Sequence, residues 1–311
     1  MRVTASTFSN SLVDHLNNLS AKSSRLQTQV ATGQRIQSLA DDPVALRRVM
    51  EQQAAAGAVA QYQTNISRLQ DTATASYDAI HSLKSVSNRA GEIATLADGL
   101  KSPDQLKTYA SEVDNLIKQS VQAMNAQNQG DYLFAGTRSD KPPYVVATDA
   151  NGNVTSVAYQ GNDSVPEAEI APGVTVSAHL LGENTSGTGP AGLITDDRAG
   201  ADFFNHLISL ANHLRTGDTS AIANTDRAGL AKDESNIIAH ISSNGATQSR
   251  LEASASLASS RGSSLSQSIS RESGADLAET LVRLNETQTA YQATLKSAGT
   301  IMSQTLMDFL H

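Results

Sequence analysis

The feature that most constrains this chain is a run of apolar and small residues, at alternating three- and four-residue spacing, that persists from Val59 to Ala97 without a proline. Its positions are Val59, Tyr62, Ile66, Leu69, Ala73, Ser76, Ile80, Leu83, Ser87, Ala90, Ala94 and Ala97. That period draws one stripe along one side of a single α-helix. Asp42-Pro43 supplies an N-cap followed by proline at the first helical position, so the helix is predicted to run from about Pro43 to about Gly99. At 1.5 Å per residue it would be on the order of 85 Å long, more than a compact globular domain can hold.

The flanking regions repeat the pattern. Ala5, Ser9, Leu12, Leu16, Leu19, Ser23, Leu26, Val30 and Gly33 form an N-terminal seam with Gly33 as its stop. A third helix opens at Ser102-Pro103, carries Leu106, Tyr109, Val113, Leu116, Ser120, Met124 and Gln127, and is predicted to end near Gly130. Toward the C-terminus the heptad runs from Ile237 to Ile269, thinned by ten serines between Ser254 and Ser273. Beyond a register shift at Ser273-Gly274, read as a flexible point, the last helix carries Leu277, Leu281, Leu284, Gln288, Tyr291, Leu295, Ala298, Met302, Thr305 and Phe309.

Between about 131 and 197 the period shortens to two. Val174, Val176, Ala178 and Leu180 alternate, and Asn151-Gly152 reads as a type I′ hairpin turn between Tyr144-Val145-Val146 and Val154-Thr155. Residues 131–198 hold nine acidic side chains against Arg138, Lys141 and Arg198, as a solvent-exposed surface would. Gly182 to Gly192 reads as a loop, and Ala201 to Leu214 as a short amphipathic helix. The predicted fold is mainly α: long antiparallel helices forming a rod, N- and C-terminal coiled-coil helices paired with each other, and a small inserted β domain. The expected divisions are 1–36 and 274–311 for the terminal helices, 37–135 and 199–273 for the rod, and 136–198 for the insert.

Composition removes whole classes of chemistry. With no cysteine, disulfides, thiolate metal sites and cysteine nucleophiles are excluded. A net charge of -8 argues against a nucleic-acid binder. No apolar run approaches the ~20 residues of a membrane span, and residues 1–16 lack the continuous apolar stretch of a cleaved secretory signal, so a chain that left the cell would need another route.

The remaining motifs are weak. Gly187 to Gly192 has G-x-G-x-x-G spacing but carries Pro190 and is followed by no βαβ alternation, so it reads as a flexible linker. Asp149 to Asn153 begins like a calcium loop but has Val154 and Gln160 where glycine and glutamate are needed, so a hairpin turn is preferred. His206 and His213 lie two helical turns apart, too far to chelate one ion unaided, and read as surface histidines. No catalytic residue, metal site or cofactor is predicted, and the chain is not expected to be an enzyme.

The N-terminal seam offers only Leu12, Leu16, Leu19, Leu26 and Val30 as sizeable apolar groups, too few to offset the ordering of so long a segment. Ile301, Leu306, Met307 and Leu310 lie off the last seam, so that helix needs more than one neighbour. Both ends are therefore expected to order on assembly with other subunits, where the N-terminal leucines meet Leu277, Leu281, Leu284 and Leu295.

Three stretches carry a resemblance. Leu26 to Leu46 (LQTQVATGQRIQSLADDPVAL), with Gly33, Arg35, Asp41, Asp42 and Pro43, resembles the N-terminal signature of the bacterial flagellin superfamily, its DDPVA ending being closer to the hook-associated branch. Gly130 to Thr137 (GDYLFAGT), with Tyr132, Leu133, Phe134 and Gly136, is similar to a second hallmark of that branch. Residues 275–310, from ADLAETL to LMDFL, resemble its closing helix. The resemblance implies an extracellular structural subunit, secreted unfolded by the flagellar type III route and self-assembling in the axial structure between hook and filament. Its implied partners are the preceding hook-associated junction protein, flagellin, and an export chaperone at the C-terminal region, with no nucleic acid and no membrane. The implied assembly interface comprises Leu12, Leu16, Leu19, Leu26, Val30, Leu277, Leu281, Leu284, Tyr291, Leu295, Met302, Leu306, Phe309 and Leu310. A filament flagellin and a surface-binding module carried by the β insert are the alternatives.

Overall fold

The computed structural model describes residues 5–97 and 99–309, with side chains described for 10–97 and 99–300. Helix α1 (Ala5–Thr32) stops where Gly33 takes φ +67°, a left-handed conformation that glycine adopts without steric cost, and the Gly33 N–H bonds the Gln29 carbonyl at 2.8 Å. Helix α2 (Pro43–Leu96) opens with Asp42 Oδ1 accepting the Ala45 N–H at 3.0 Å. Every position of its expected stripe is buried or half-buried, and Ile80, Leu83, Ala90 and Ala94 are fully enclosed. Helix α3 (Pro103–Met124) begins with a capping box in which Ser102 Oγ accepts from the Gln105 N–H and Gln105 Oε1 from the Ser102 N–H.

The α3 helix ends at Met124, short of the expected Gly130. The Asn125 side chain donates to Tyr144 O at 2.8 Å and accepts from Tyr144 N at 2.9 Å, and these bonds divert the chain into β1 (Gln127–Asn128) and β2 (Asp131–Tyr132). Two-residue strands carry no periodicity for a sequence to display. Two antiparallel hairpins follow, β3 (Tyr144–Thr148) with β4 (Val154–Tyr159) and β5 (Ala168–Ala171) with β6 (Val174–Val176). The β3–β4 turn is not type I′: Gly152 has φ +84° but Asn151 does not have positive φ. Asp149 governs it instead, its carboxylate accepting from the N–H groups of Asn151 and Asn153 at 2.8 and 2.9 Å.

Strands β7 (Leu181–Asn184), β8 (Gly192–Asp196) and β9 (Ala201–Asp202) form a small mixed sheet in which β7 and β8 are parallel. The glycine-rich stretch read as a flexible linker is therefore a tight crossover, possible at this length because the strands it joins are so short. Its backbone is bound by buried side chains. Asn184 Nδ2 donates to Thr188 O and Pro190 O, both at 2.6 Å, and Asp196 accepts from the Gly192 N–H at 2.9 Å. The chain closes with α4 (Phe203–Thr216), a single turn α5 (Thr219–Ala221), a π-helical turn (Ile222–Asp226), α6 (Arg227–Ser273) and α7 (Leu277–Phe309).

The fold divides into two compact units, residues 59–260 and residues 1–58 with 261–311. In the first, Ile80, Leu83 and Ile93 of α2, Val113, Ile117 and Met124 of α3, Leu133, Phe134, and Phe203 and Leu207 of α4 share one hydrophobic core. Arg227 of α6 donates to Ala94 O at 3.1 Å and Thr95 O at 3.2 Å, satisfying carbonyls at the end of α2, which has no basic residue in its own last turn.

His206 and His213, expected at the surface, are half-buried and paired. His206 Nδ1 lies 2.7 Å from Asp233 Oδ2 and His213 Nδ1 lies 2.7 Å from Asp226 Oδ2, both aspartates being buried. Seven-residue spacing on α4 meets seven-residue spacing from Asp226 to Asp233, so two His–Asp pairs fasten α4 to the start of α6. The hydrogen bond to Asp233 raises the His206 pKa above 6.5, and burial raises that of Asp233, so the pair holds its proton more tightly than the separated groups do. A raised folded-state pKa gives stability that is full below 6.5 and lost as pH rises through the folded value. Buried His240 has the opposite sign, since burial lowers its pKa and protonating it in acid opposes folding. His206→Gln is accordingly expected to flatten the alkaline fall of the urea midpoint while leaving the acid fall in place, as measured by denaturation across a pH series.

Candidate assembly surface

In the unit formed by the chain ends, α1 packs along α7. The expected α1 seam is correct over its described side chains: Leu12, Leu16, Leu19, Ser23 and Val30 are half-buried and Leu26 is buried, while the side chains of Ala5 and Ser9 lie outside the described residues. The α7 seam is correct in part. Buried or half-buried positions there are Thr280, Leu284, Thr287, Gln288, Tyr291, Thr294 and Ala298, whereas Leu277, Leu281 and Leu295 are 47%, 46% and 46% exposed. Within the chain, therefore, threonines share the inward face with Leu284, Gln288, Tyr291 and Ala298 of the predicted seam.

Threonine can take those places because each hydroxyl is satisfied by its own helix. The Oγ1 atoms of Thr280, Thr287 and Thr294 donate to the carbonyls of Asp276, Arg283 and Ala290 at 2.6, 2.7 and 2.8 Å, leaving the methyl groups as the packing surface. The seven-residue recurrence of threonine was the signal to read. Leucine is the stronger apolar residue, and pattern reasoning assigns it inward by default. A groove of about 680 Å³ runs between the helices, lined by Leu19, Lys22, Leu26, Thr280, Glu286 and Thr287 among others. Leu277, Leu281, Val282 and Leu295 of α7 stay about half exposed. The side chains of Met302, Leu306 and Phe309, and residue Leu310, lie outside the described residues.

The N-terminal motif residues join the two connectors of this unit. Gln34 and Gly274 form an antiparallel bridge, flanked by Arg35 N–H to Ser273 O at 2.7 Å and Ala275 N–H to Gly33 O at 2.9 Å. Arg35 also donates to Glu272 O at 3.0 Å and lies 3.5 Å from Asp42. Asp41 accepts from the N–H groups of Gln37 and Ser38 and pairs with Arg25 at 2.6 Å, and those two backbone bonds hold its carboxyl below the ordinary range. The Ala45 N–H does the same for Asp42. Ser273-Gly274 is thus a bridged break between helices. Arg48–Glu272 at 2.6 Å and Gln52–Ser268 at 3.0 Å add contacts between α2 and α6 that no sequence pattern marked.

The second motif belongs to the other unit. Leu133, Phe134 and Ala135 are almost fully buried, while Tyr132 is half-buried in β2. Gly136 has φ +68°, and a Cβ there would lie 2.6 Å from Asn162 O and 2.7 Å from Ser164 O. Asn162 holds this turn by accepting from the Thr137 N–H at 2.9 Å, and the Tyr159 hydroxyl donates to Phe134 O at 2.9 Å. These residues are internal supports. Among the described residues, no group of acidic or histidine side chains is arranged to hold a metal, and no helix is long and apolar enough to cross a membrane.

No protein-family model matches the chain, and no curated protein matches it in sequence. Solved structures do match. A flagellar hook-associated protein of Vibrio parahaemolyticus superposes with TM-score 0.63 at 19% identity, covering 75% of this chain and 100% of that one. FlgL of Xanthomonas campestris gives TM-score 0.56 at 20% identity over 70% and 99% of the two chains, and FlgL of Bacillus cereus 0.54 at 18% over 71% and 99%. The chain has the fold of these flagellar hook-associated proteins.

Proposed function

We propose that the chain is a structural subunit of the bacterial flagellum that joins hook to filament as a junction protein of the FlgL type. The observation that carries this reading is the apolar stripe of Leu277, Leu281, Val282 and Leu295, which stays exposed after α1 and α7 have paired. Leucines left about half exposed after the helices have paired, on a chain of this fold, support a surface for neighbouring subunits. The side chains that would make contact across subunits are these, together with the predicted interface residues of α1 and the distal part of α7. The preceding hook-associated protein and flagellin would lie on either side, an export chaperone would hold the C-terminal region beforehand, and secretion would follow the flagellar type III route. The reading includes no catalysis and no cofactor.

Purified chain added to isolated hooks that carry the preceding hook-associated protein is expected to bind there as a short zone and stop, as seen by immunogold electron microscopy. Growth of the chain alone into long filaments would overturn the junction reading in favour of a filament flagellin.

A further inference from the structure

The chain contains two Asn-Gly pairs, and the fold places them in opposite surroundings. Asn151-Gly152 lies at the tip of the β3–β4 hairpin, with both residues exposed. The Asn151 carboxamide has no hydrogen-bond partner among the described residues, and nothing lies within 4 Å of where a Cβ on Gly152 would sit. Asn244-Gly245 lies within α6. Asn244 is 2% exposed, its Nδ2 donates to Ala73 O at 3.1 Å, and its Oδ1 accepts from Gln248 at 2.7 Å.

We propose that Asn151 is a site of spontaneous modification to aspartyl and isoaspartyl residues, with water as the only co-reactant, and that Asn244 is protected from the same reaction. The Gly152 backbone nitrogen gives up its proton to solvent base and attacks the Asn151 side-chain carbonyl carbon. A new C–N bond closes a five-membered succinimide, the bond to the side-chain nitrogen breaks, and that nitrogen takes a proton and leaves as ammonia. Water then opens the ring at either carbonyl, and nothing is oxidised or reduced. A residue with a side chain after the asparagine would hinder the attack, and glycine does not. The bonds that restrain the tip, Gly152 N–H to Asp149 O at 3.0 Å and Asn151 N–H to Asp149 Oδ1 at 2.8 Å, belong to an exposed turn, which opens at little free-energy cost. At Asn244 the attack requires opening a buried helical segment.

The product adds a negative charge to an already acidic region, beside Lys118, whose Nζ donates to Gly152 O at 3.2 Å. In the isoaspartyl form the main chain gains a carbon at the turn, which removes the register of the Gly152–Asp149 bond and of the Lys118 contact.

The test is to incubate the full chain in mildly alkaline buffer, native and in denaturant. Conversion is followed at each asparagine by peptide mass spectrometry and by labelling with an isoaspartate-specific carboxyl methyltransferase. Native Asn151 is expected to convert more than about tenfold faster than native Asn244, with the two approaching parity once denaturant removes the fold. Asn151→Gln should remove the native-state label from the peptide that carries position 151. Equal native rates at the two sites would overturn the proposal, as would an Asn151 that stays intact in the native chain while converting in denaturant.

Discussion

Replacing both Leu281 and Leu295 by aspartate is expected to leave the purified chain folded and to abolish its incorporation at the hook tip. The two side chains are nearly half exposed and take no part in the seam with α1, so the thermal midpoint should scarcely move, as for other surface substitutions of about 0.5 kcal/mol or less. In the proposed assembly the same positions would become buried. Covering the exposed half of two leucines contributes about 1.5–3 kcal/mol, about ten- to a hundredfold in affinity, before the cost of desolvating a carboxylate is counted. Thr287→Asp is the contrasting variant. Thr287 is 4% exposed on the inward face, so a charge there should separate α1 from α7 in the isolated chain. Normal incorporation of the double leucine variant would show that the stripe is not the contact.

The second large effect is expected inside the unit formed by residues 59–260. Phe134→Ala should lower its stability by about 3–5 kcal/mol, because a fully buried aromatic ring leaves a cavity that surrounding helices cannot close. Gly136→Ala should damage the same region by a different route, since the added methyl meets two backbone carbonyls and the residue must also hold φ +68°. Urea denaturation followed by the signals of Tyr144 and Tyr159 reads both effects. A change of less than about 1 kcal/mol in Phe134→Ala would contradict the placement of the motif as an internal support.

Most of the helical architecture was legible because long seams repeat one physical constraint many times. The α2 stripe is correct at every position, and the stops at Gly33 and starts at Pro43 and Pro103 follow from local cap chemistry. What escaped depends on specific side-chain hydrogen bonds. Asn125 ending α3 against Tyr144, Asn184 and Asp196 closing the β7–β8 crossover, and the His–Asp pairs all join groups whose meeting no spacing announces. The α7 seam was legible only in part, for a different reason. Two stripes share that helix, and hydrophobicity alone selects the leucines, while the hydroxyl-satisfied threonines are the ones that pack inside the chain. Leu277, Leu281 and Leu295 are left half exposed, and the proposed junction role rests on that surplus.

Hydrogen exchange by mass spectrometry, on the isolated chain and on the same chain bound at the hook tip, tests most directly the claim that the terminal helices are completed by neighbouring subunits. Amides of α1 and α7 are expected to exchange far faster in the isolated chain than those of α2 between 66 and 94. Residues 277–298 should then become protected on binding. Equal protection of α7 and α2 in the isolated chain, unchanged on binding, would mean that α1 and α7 already have all their partners, and would contradict the account.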